Sequence, residues 1–240
     1  SIDCSDIFTE EFQNLLVKLH EKFNNEVSEI RKERITNQEK ARNGTMPKLL
    51  DASEANGDWE ISELPEDLRT PGIEISGPAG IASMLINALN PGPGGVRAEG
   101  DLDDDEDAAG HTLEDSIYAA RNRMQATLGT LQFDNETTGK HYELEPGKIP
   151  FFMHRERGLH LDEPSVTIDG NPISATILGT ALTLFFGGRE QHKKGEGVYF
   201  YIPKTESARE TKFYNSLMFF LFLGDKKIQN LVYFWLIEKL

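Results

Sequence analysis

Residues 149–158 read Ile-Pro-Phe-Phe-Met-His-Arg-Glu-Arg-Gly, a short apolar run from Ile149 to Met153 that stops abruptly at a knot of charge. A run of this length, apolar on both alternating faces, is the pattern of a strand buried on both sides, as in parallel sheets. Val198-Tyr199-Phe200-Tyr201-Ile202 repeats the pattern and is stopped by Pro203-Lys204. Ile73-Glu74-Ile75-Ser76 and Leu231 to Ile237 supply two more strands, and the region near residue 96 is a weaker fifth.

Helical spacing separates these runs. Apolar residues recur at steps of three and four from Ile7 to Ile30, with Thr9 as a cap and Glu10 and Glu11 near the positive helix end. Met84 to Leu89, Leu113 to Leu128, Ile173 to Phe186 and Ser207 to Leu223 read as further helices, and Asn135 to Gly139 as a turn between short strands. Residues 43–72 carry Gly44, Pro47, Gly57, Pro65, Pro71 and Gly72 and form an irregular connection. Residues 97–110 hold seven acidic side chains and one large apolar one, the composition of a solvated loop rather than a buried strand. Strands alternating with helices fit an α/β barrel. The expected division is a helical clasp with its connection over 1–70 and a barrel portion over 71–240, with an acidic loop at 97–110.

With a net charge of −15 the chain is a poor nucleic-acid binder, since such proteins gather Lys and Arg on one face. Its richest apolar stretch, Leu217 to Leu223, is too short to cross a bilayer. The single cysteine, Cys4, excludes an internal disulfide framework and precedes the expected folded region, which argues against a catalytic thiol. The six histidines show no metal-ligand spacing, and no phosphate-binding glycine loop is present.

In an α/β barrel the reactive groups sit at the carboxyl ends of strands. Arg155 and Arg157 follow the strand at 149–153, Lys204 follows 198–202, and Glu238 follows 231–237. A guanidinium there can hold a carboxylate or stabilise an enolate oxygen, and a carboxylate can hold Mg²⁺. The competing reading of the same residues is ordinary solvated charge at strand ends.

Short motifs give these residues a context. Asp58-Trp59-Glu60-Ile61, Leu64-Pro65-Glu66-Asp67-Leu68 and Ile73-Glu74-Ile75-Ser76-Gly77-Pro78 resemble, in order, a stretch of malate synthase. Met84 to Asn90, Arg155-Glu156-Arg157-Gly158-Leu159-His160-Leu161, Asp169 to Ser174, Gly197 to Lys204 and Leu236-Ile237-Glu238 are similar to later motifs of that family at close to its spacing. The resemblance implies a (β/α)8 TIM barrel with an amino-terminal helical clasp, of which about five of the eight strands are encoded. It also implies Mg²⁺-dependent condensation of acetyl-CoA with glyoxylate to give malate and CoA. Carried over residue by residue, Arg155 is the catalytic arginine and Glu238 a metal ligand.

The resemblance has departures. The family's apolar second strand, ending in Asp-Phe-Glu-Asp, is replaced here by the acidic segment Val96 to Asp107, which keeps carboxylates and loses apolar character. Lys239 stands where the family has threonine. In the family the second metal-binding aspartate and the general-base aspartate lie beyond the position of Leu240, so the chain by itself is expected to lack synthase activity and to invite self-association through open barrel edges. The alternative is a non-catalytic relative serving as a binding or assembly module; a lyase of citryl-CoA type is disfavoured by the clasp and by the Arg155 to Leu161 motif. Family members occupy the cytoplasm or the peroxisome and glyoxysome, which bounds the compartment.

Overall fold

The computed structural model describes residues 2–46, 63–69 and 72–224. Its centre is a four-stranded sheet of β1 (Glu74–Gly77), β2 (Gly100–Asp104), β5 (Phe151–Arg155) and β8 (Tyr199–Phe200). Every pairing within it is parallel, and spatial order follows chain order, β1-β2-β5-β8. That progression is the winding of a TIM barrel; a doubly wound sheet would reverse direction at a switch point. The described strands do not close a barrel. The fifth expected strand, Leu231–Ile237, lies outside the described residues, as does most of the 43–72 connection.

Helices cover one face of the sheet. α2 (Ala82–Leu89) follows β1, and α3 (Leu113–Leu128) follows β2. α3 opens on a capping box in which the Thr112 side chain accepts from the Asp115 N–H, and closes on Gly129 in the left-handed region. Ala79, Leu85, Ile86, Leu89, Ala119, Ala126 and Leu131 enclose Phe152 of β5. Burial along β5 alternates, with Phe152 and His154 covered by the helical layer and Phe151, Met153 and Arg155 only part-covered on the other face. That alternation follows from the period of two in a strand.

Two hairpins interrupt the βα rhythm. β3 (Gln132–Asn135) and β4 (Lys140–Glu143) pair around the expected turn, with Asn135 Oδ1 accepting from the Thr137 and Thr138 N–H groups. β6 (Asp162–Ile168) and β7 (Asn171–Ser174) pair through the two-residue turn Asp169-Gly170. Both turn residues have positive φ, 51° and 77°, as a type I′ hairpin turn requires. The expected helix at 173–186 therefore starts only after β7, as α4 (Ala175–Leu182). It continues through a π-helical segment, Thr183–Gly188, into the short α5 (Arg189–Lys193).

α1 (Glu10–Arg42) is capped by Thr9 as its sequence predicts, but runs well past Ile30, where the apolar periodicity stops. Its buried face, Phe12, Leu16, Leu19, Phe23, Val27 and Ile30, joins a cluster with Ile177, Leu178, Ala181 and Leu182 of α4 and with Phe213, Leu217 and Leu221 of α6 (Ala208–Gly224). Burying each of the Val, Leu, Ile and Phe side chains among them contributes about 1.5–3 kcal/mol. No helix among the described residues is long and apolar enough to cross a membrane.

Three readings are corrected. The acidic segment at 97–110 is not a solvated loop: Gly100–Asp104 is a strand held between β1 and β5, and Asp101, Asp103, Asp104, Asp105 and Glu106 are all buried. The composition argument failed because nearly every buried carboxylate there has a cation or an N–H to meet it. Cys4 does not precede the fold; its carbonyl accepts from the N–H groups of Ile7 and Phe8, and it packs against the main cluster. The strand expected over 198–202 forms ladder pairs only at Tyr199–Phe200, although the Tyr201 N–H still reaches the His154 carbonyl at 2.8 Å before Pro203 ends it.

Candidate active site

The carboxyl ends of β2, β5 and β8 bring a small set of opposite charges together. Arg155, the last residue of β5, lies opposite Asp104, the last residue of β2, in the parallel ladder. Its Nε donates to Asp104 Oδ1 at 2.8 Å and its Nη2 to Asp104 Oδ2 at 2.5 Å, the two-pronged geometry that fixes a guanidinium plane. Nη2 also lies 3.0 Å from Asp107 Oδ2, and the guanidinium lies 5.5 Å from the centre of the Tyr201 ring. Nη1 has no hydrogen-bond partner among the described residues. The Arg155 side chain keeps 20% of its exposure, so the guanidinium is not fully enclosed. Hydrogen bonding to Asp104 raises the Arg155 pKa further, and the group stays cationic at any working pH.

Lys204 completes the rim. Its Nζ lies 2.6 Å from Glu106 Oε1 and 2.8 Å from Asp107 Oδ1. Those hydrogen bonds, the one to Asp107 foremost, raise its pKa, and Lys204 in turn holds Asp107 low. Lys204 has φ of +48°, a conformation that L residues adopt at a cost, and its carbonyl accepts from Arg34 Nη2 of α1 at 2.9 Å. Glu106 Oε2 accepts from the Gly158 N–H at 2.6 Å. The turn after β2 is thus tied to the segments that follow β5 and β8.

Of the residues singled out from sequence, Arg155 and Lys204 meet at this rim. Arg157 does not. It is buried against Glu163 at 3.0 Å and donates to Ser116 Oγ and the His111 carbonyl, so it joins the β6–β7 hairpin to α3. Glu238 lies outside the described residues. Sequence reading missed Asp104, Glu106 and Asp107 as partners of the two cations. The signal was present in the carboxylates kept at the expected end of the second strand.

Mg²⁺ takes oxygen ligands in octahedral order, so the rim offers donors of the right kind. Among the described residues, however, no group of three His, Cys, Asp or Glu side chains could hold a metal ion, and the rim carboxylates are already engaged by Arg155 and Lys204. The described residues do not by themselves fit the ion.

Behind the rim lies a second, fully buried cluster. Arg123 of α3 donates through Nε to Asp103, through Nη2 to Asp105 at 2.6 Å and through Nη1 to Thr183 Oγ1 at 2.9 Å; the Thr183 hydroxyl donates to Glu156. His154 Nδ1 lies 3.2 Å from Asp103. Burial would push the Asp103 carboxyl up, but Arg123 and His154 outweigh it and hold it below the usual range. The π-helical segment puts Thr183 within reach of both groups, an example of a π turn adapting a helix to a polar site.

Comparison with known proteins assigns a family to the chain. The family described as the malate synthase TIM barrel domain matches residues 151–225. Malate synthase of Myxococcus xanthus (strain DK1622) is 36% identical over 217 residues, covering 90% of this chain and 39% of that protein. Malate synthase A of Escherichia coli (strain K12) is 33% identical over 213 residues, with 88% and 38% covered. Glyoxysomal malate synthase of Zea mays is 30% identical over 221 residues, with 90% and 38% covered. The chain spans about two fifths of the length of the curated relatives it matches. On the strength of these similarities, and with a parallel strand order that fits them, this chain belongs to the malate synthase family, as a portion that includes part of the TIM-barrel domain.

Proposed function

We propose that the intact protein condenses acetyl-CoA with glyoxylate to give malate and CoA, and that Arg155 is its catalytic arginine. The observation that carries this reading is the state of Arg155. Its guanidinium sits at the carboxyl end of a central parallel strand, with two nitrogens held by Asp104 and Nη1 without a hydrogen-bond partner among the described residues. A donor fixed in this way needs no reorganisation when negative charge develops on a neighbouring oxygen, as it does when an acetyl thioester loses a methyl proton to form an enolate. The carbon–carbon bond then forms between that methyl carbon and the glyoxylate aldehyde carbon, and water cleaves the resulting thioester to release CoA. Mg²⁺, with Glu238 as one ligand, belongs to the proposal on the family resemblance alone, as does an aspartate base. The compartment proposed on the same ground is the cytoplasm or the glyoxysome.

The test is thiol release from acetyl-CoA by the intact protein, with glyoxylate and Mg²⁺ present. Arg155→Ala should lower kcat by about three orders of magnitude while acetyl-CoA binding changes far less, because the interaction matters mainly in the transition state. Turnover close to normal in that variant would remove Arg155 from the role.

A further inference from the structure

The acidic run at the end of β2 alternates in what it binds. Asp103 and Asp105 turn to Arg123, inside the helical layer. Asp104, between them, turns to Arg155 on the other face, and its Oδ1 also accepts the N–H groups of Glu106 and Asp107. β5 repeats the scheme. His154 and Glu156 lie on the Arg123 side, Glu156 through Thr183, while Arg155 between them points to Asp104. The Asp105 N–H to Arg155 carbonyl bond, at 2.9 Å, carries the ladder one residue past the strand.

Arg123 therefore holds both neighbours of Asp104 directly, and reaches those of Arg155 through intermediaries, His154 by way of Asp103 and Glu156 by way of Thr183. A shift of one residue in either strand would send the pair to the wrong face. One buried guanidinium meeting Asp103, Asp105 and Thr183 at once fixes the register. Packing alone would be served as well by an apolar side chain with no carboxylates to face.

We infer that Arg123 is a positioning residue, which locks the alternation of the two strand ends so that Asp104 and Arg155 project together at the rim. Its consequence for turnover rests on the function proposed above; its consequence for Arg155 geometry does not.

The experiment follows the Nε–H signal of Arg155 in a ¹H–¹⁵N spectrum of the intact protein, identified by its loss in Arg155→Lys. In the unaltered protein the bond to Asp104 should hold this proton in slow exchange with water. In Arg123→Lys, and in the milder Thr183→Val, exchange should quicken about tenfold or more, and in the active protein kcat should fall about tenfold or more with KM changed less than about threefold. Both variants are first checked for a cooperative unfolding transition. If Arg123→Lys does not fold, as removal of a cation from buried carboxylates can cause, Thr183→Val decides. An unchanged Arg155 signal and exchange rate in a folded variant overturns the inference, whatever the turnover. If instead Arg155→Ala is fully active, the proposed function fails, and the spectrum still decides whether Arg123 positions Arg155.

Discussion

At the scale of single residues, the buried carboxylates of β2 divide by what they face. Asp103 has Arg123 and His154, and is held ionised. Asp101 is equally buried on the same face, but its Oδ2 has no partner among the described residues. Burial, then the charge of Asp103, pushes its pKa up to about 8, against which Arg123 acts only partly. The folded state thus holds a proton that the unfolded chain releases near pH 4. The sign follows directly: a group raised on folding gives its full stabilisation below its unfolded pKa and loses it as pH climbs toward about 8. Stability should therefore fall by about 1 kcal/mol per pH unit between pH 5 and pH 7 from this group alone. Asp101→Asn, which stays neutral, should flatten that part of the profile and be the more stable protein at pH 8. Urea unfolding of both proteins at several pH values measures it, and parallel profiles would show that Asp101 does not carry the proton.

Two glycines test the elements by different physics. Gly170 occupies the second position of the β6–β7 turn at φ of +77°, with open space where a Cβ would stand. Gly170→Ala should cost about 1 kcal/mol from backbone strain alone. Gly179, in the middle of α4, has ordinary helical backbone, but a Cβ there would lie 2.2 Å from Glu156 Oε2. Gly179→Ala should cost about 2–3 kcal/mol, because Glu156 is buried and tied to Thr183 and has little room to yield. Thermal unfolding of the pair gives the comparison, and a smaller loss for Gly179→Ala would mean that Glu156 moves freely. The same elements show what sequence could tell. The apolar run at 149–153 and the Thr9 helix start were legible because propensity and burial agreed there, whereas 73–76 was legible from its strand pattern alone, since Ile73 and Ile75 stay exposed. The β6–β7 hairpin was written in Asp169-Gly170, but its strands are short and polar enough to resemble a loop. β2 was illegible for a deeper reason. Its burial depends on Arg123, Arg155 and Lys204, residues 20, 51 and 100 positions or so away, and no local pattern shows that such partners will arrive.

At the scale of the molecule, α1 decides whether the sheet end and its rim form one cooperative body. It packs by its apolar face, but its cations also reach across. Arg31 holds Asp162 at 2.8 Å and the carbonyls of Leu159 and Leu161. Arg34 holds Glu210 of α6 at 2.8 Å and the Lys204 carbonyl at 2.9 Å, which joins the helix directly to the rim. Phe23 sits at the midpoint, 2% exposed, with its ring 5.8 Å from Phe213 and 5.6 Å from Phe220, both edge-on. Phe23→Ala should cost about 3–5 kcal/mol, since the ring's contacts are lost and neighbours anchored on α6 collapse little. If α1 and the strands are one unit, the loss will appear as a single transition moved to lower temperature, with far-ultraviolet and near-ultraviolet circular dichroism changing together. An earlier far-ultraviolet loss with the near-ultraviolet signal intact would mean that α1 melts from a barrel portion that stands without it. In that event the Arg34 bond to Lys204 could not be what holds the strained backbone at the rim, and the closure of the site would have to come from β5 and β8 alone.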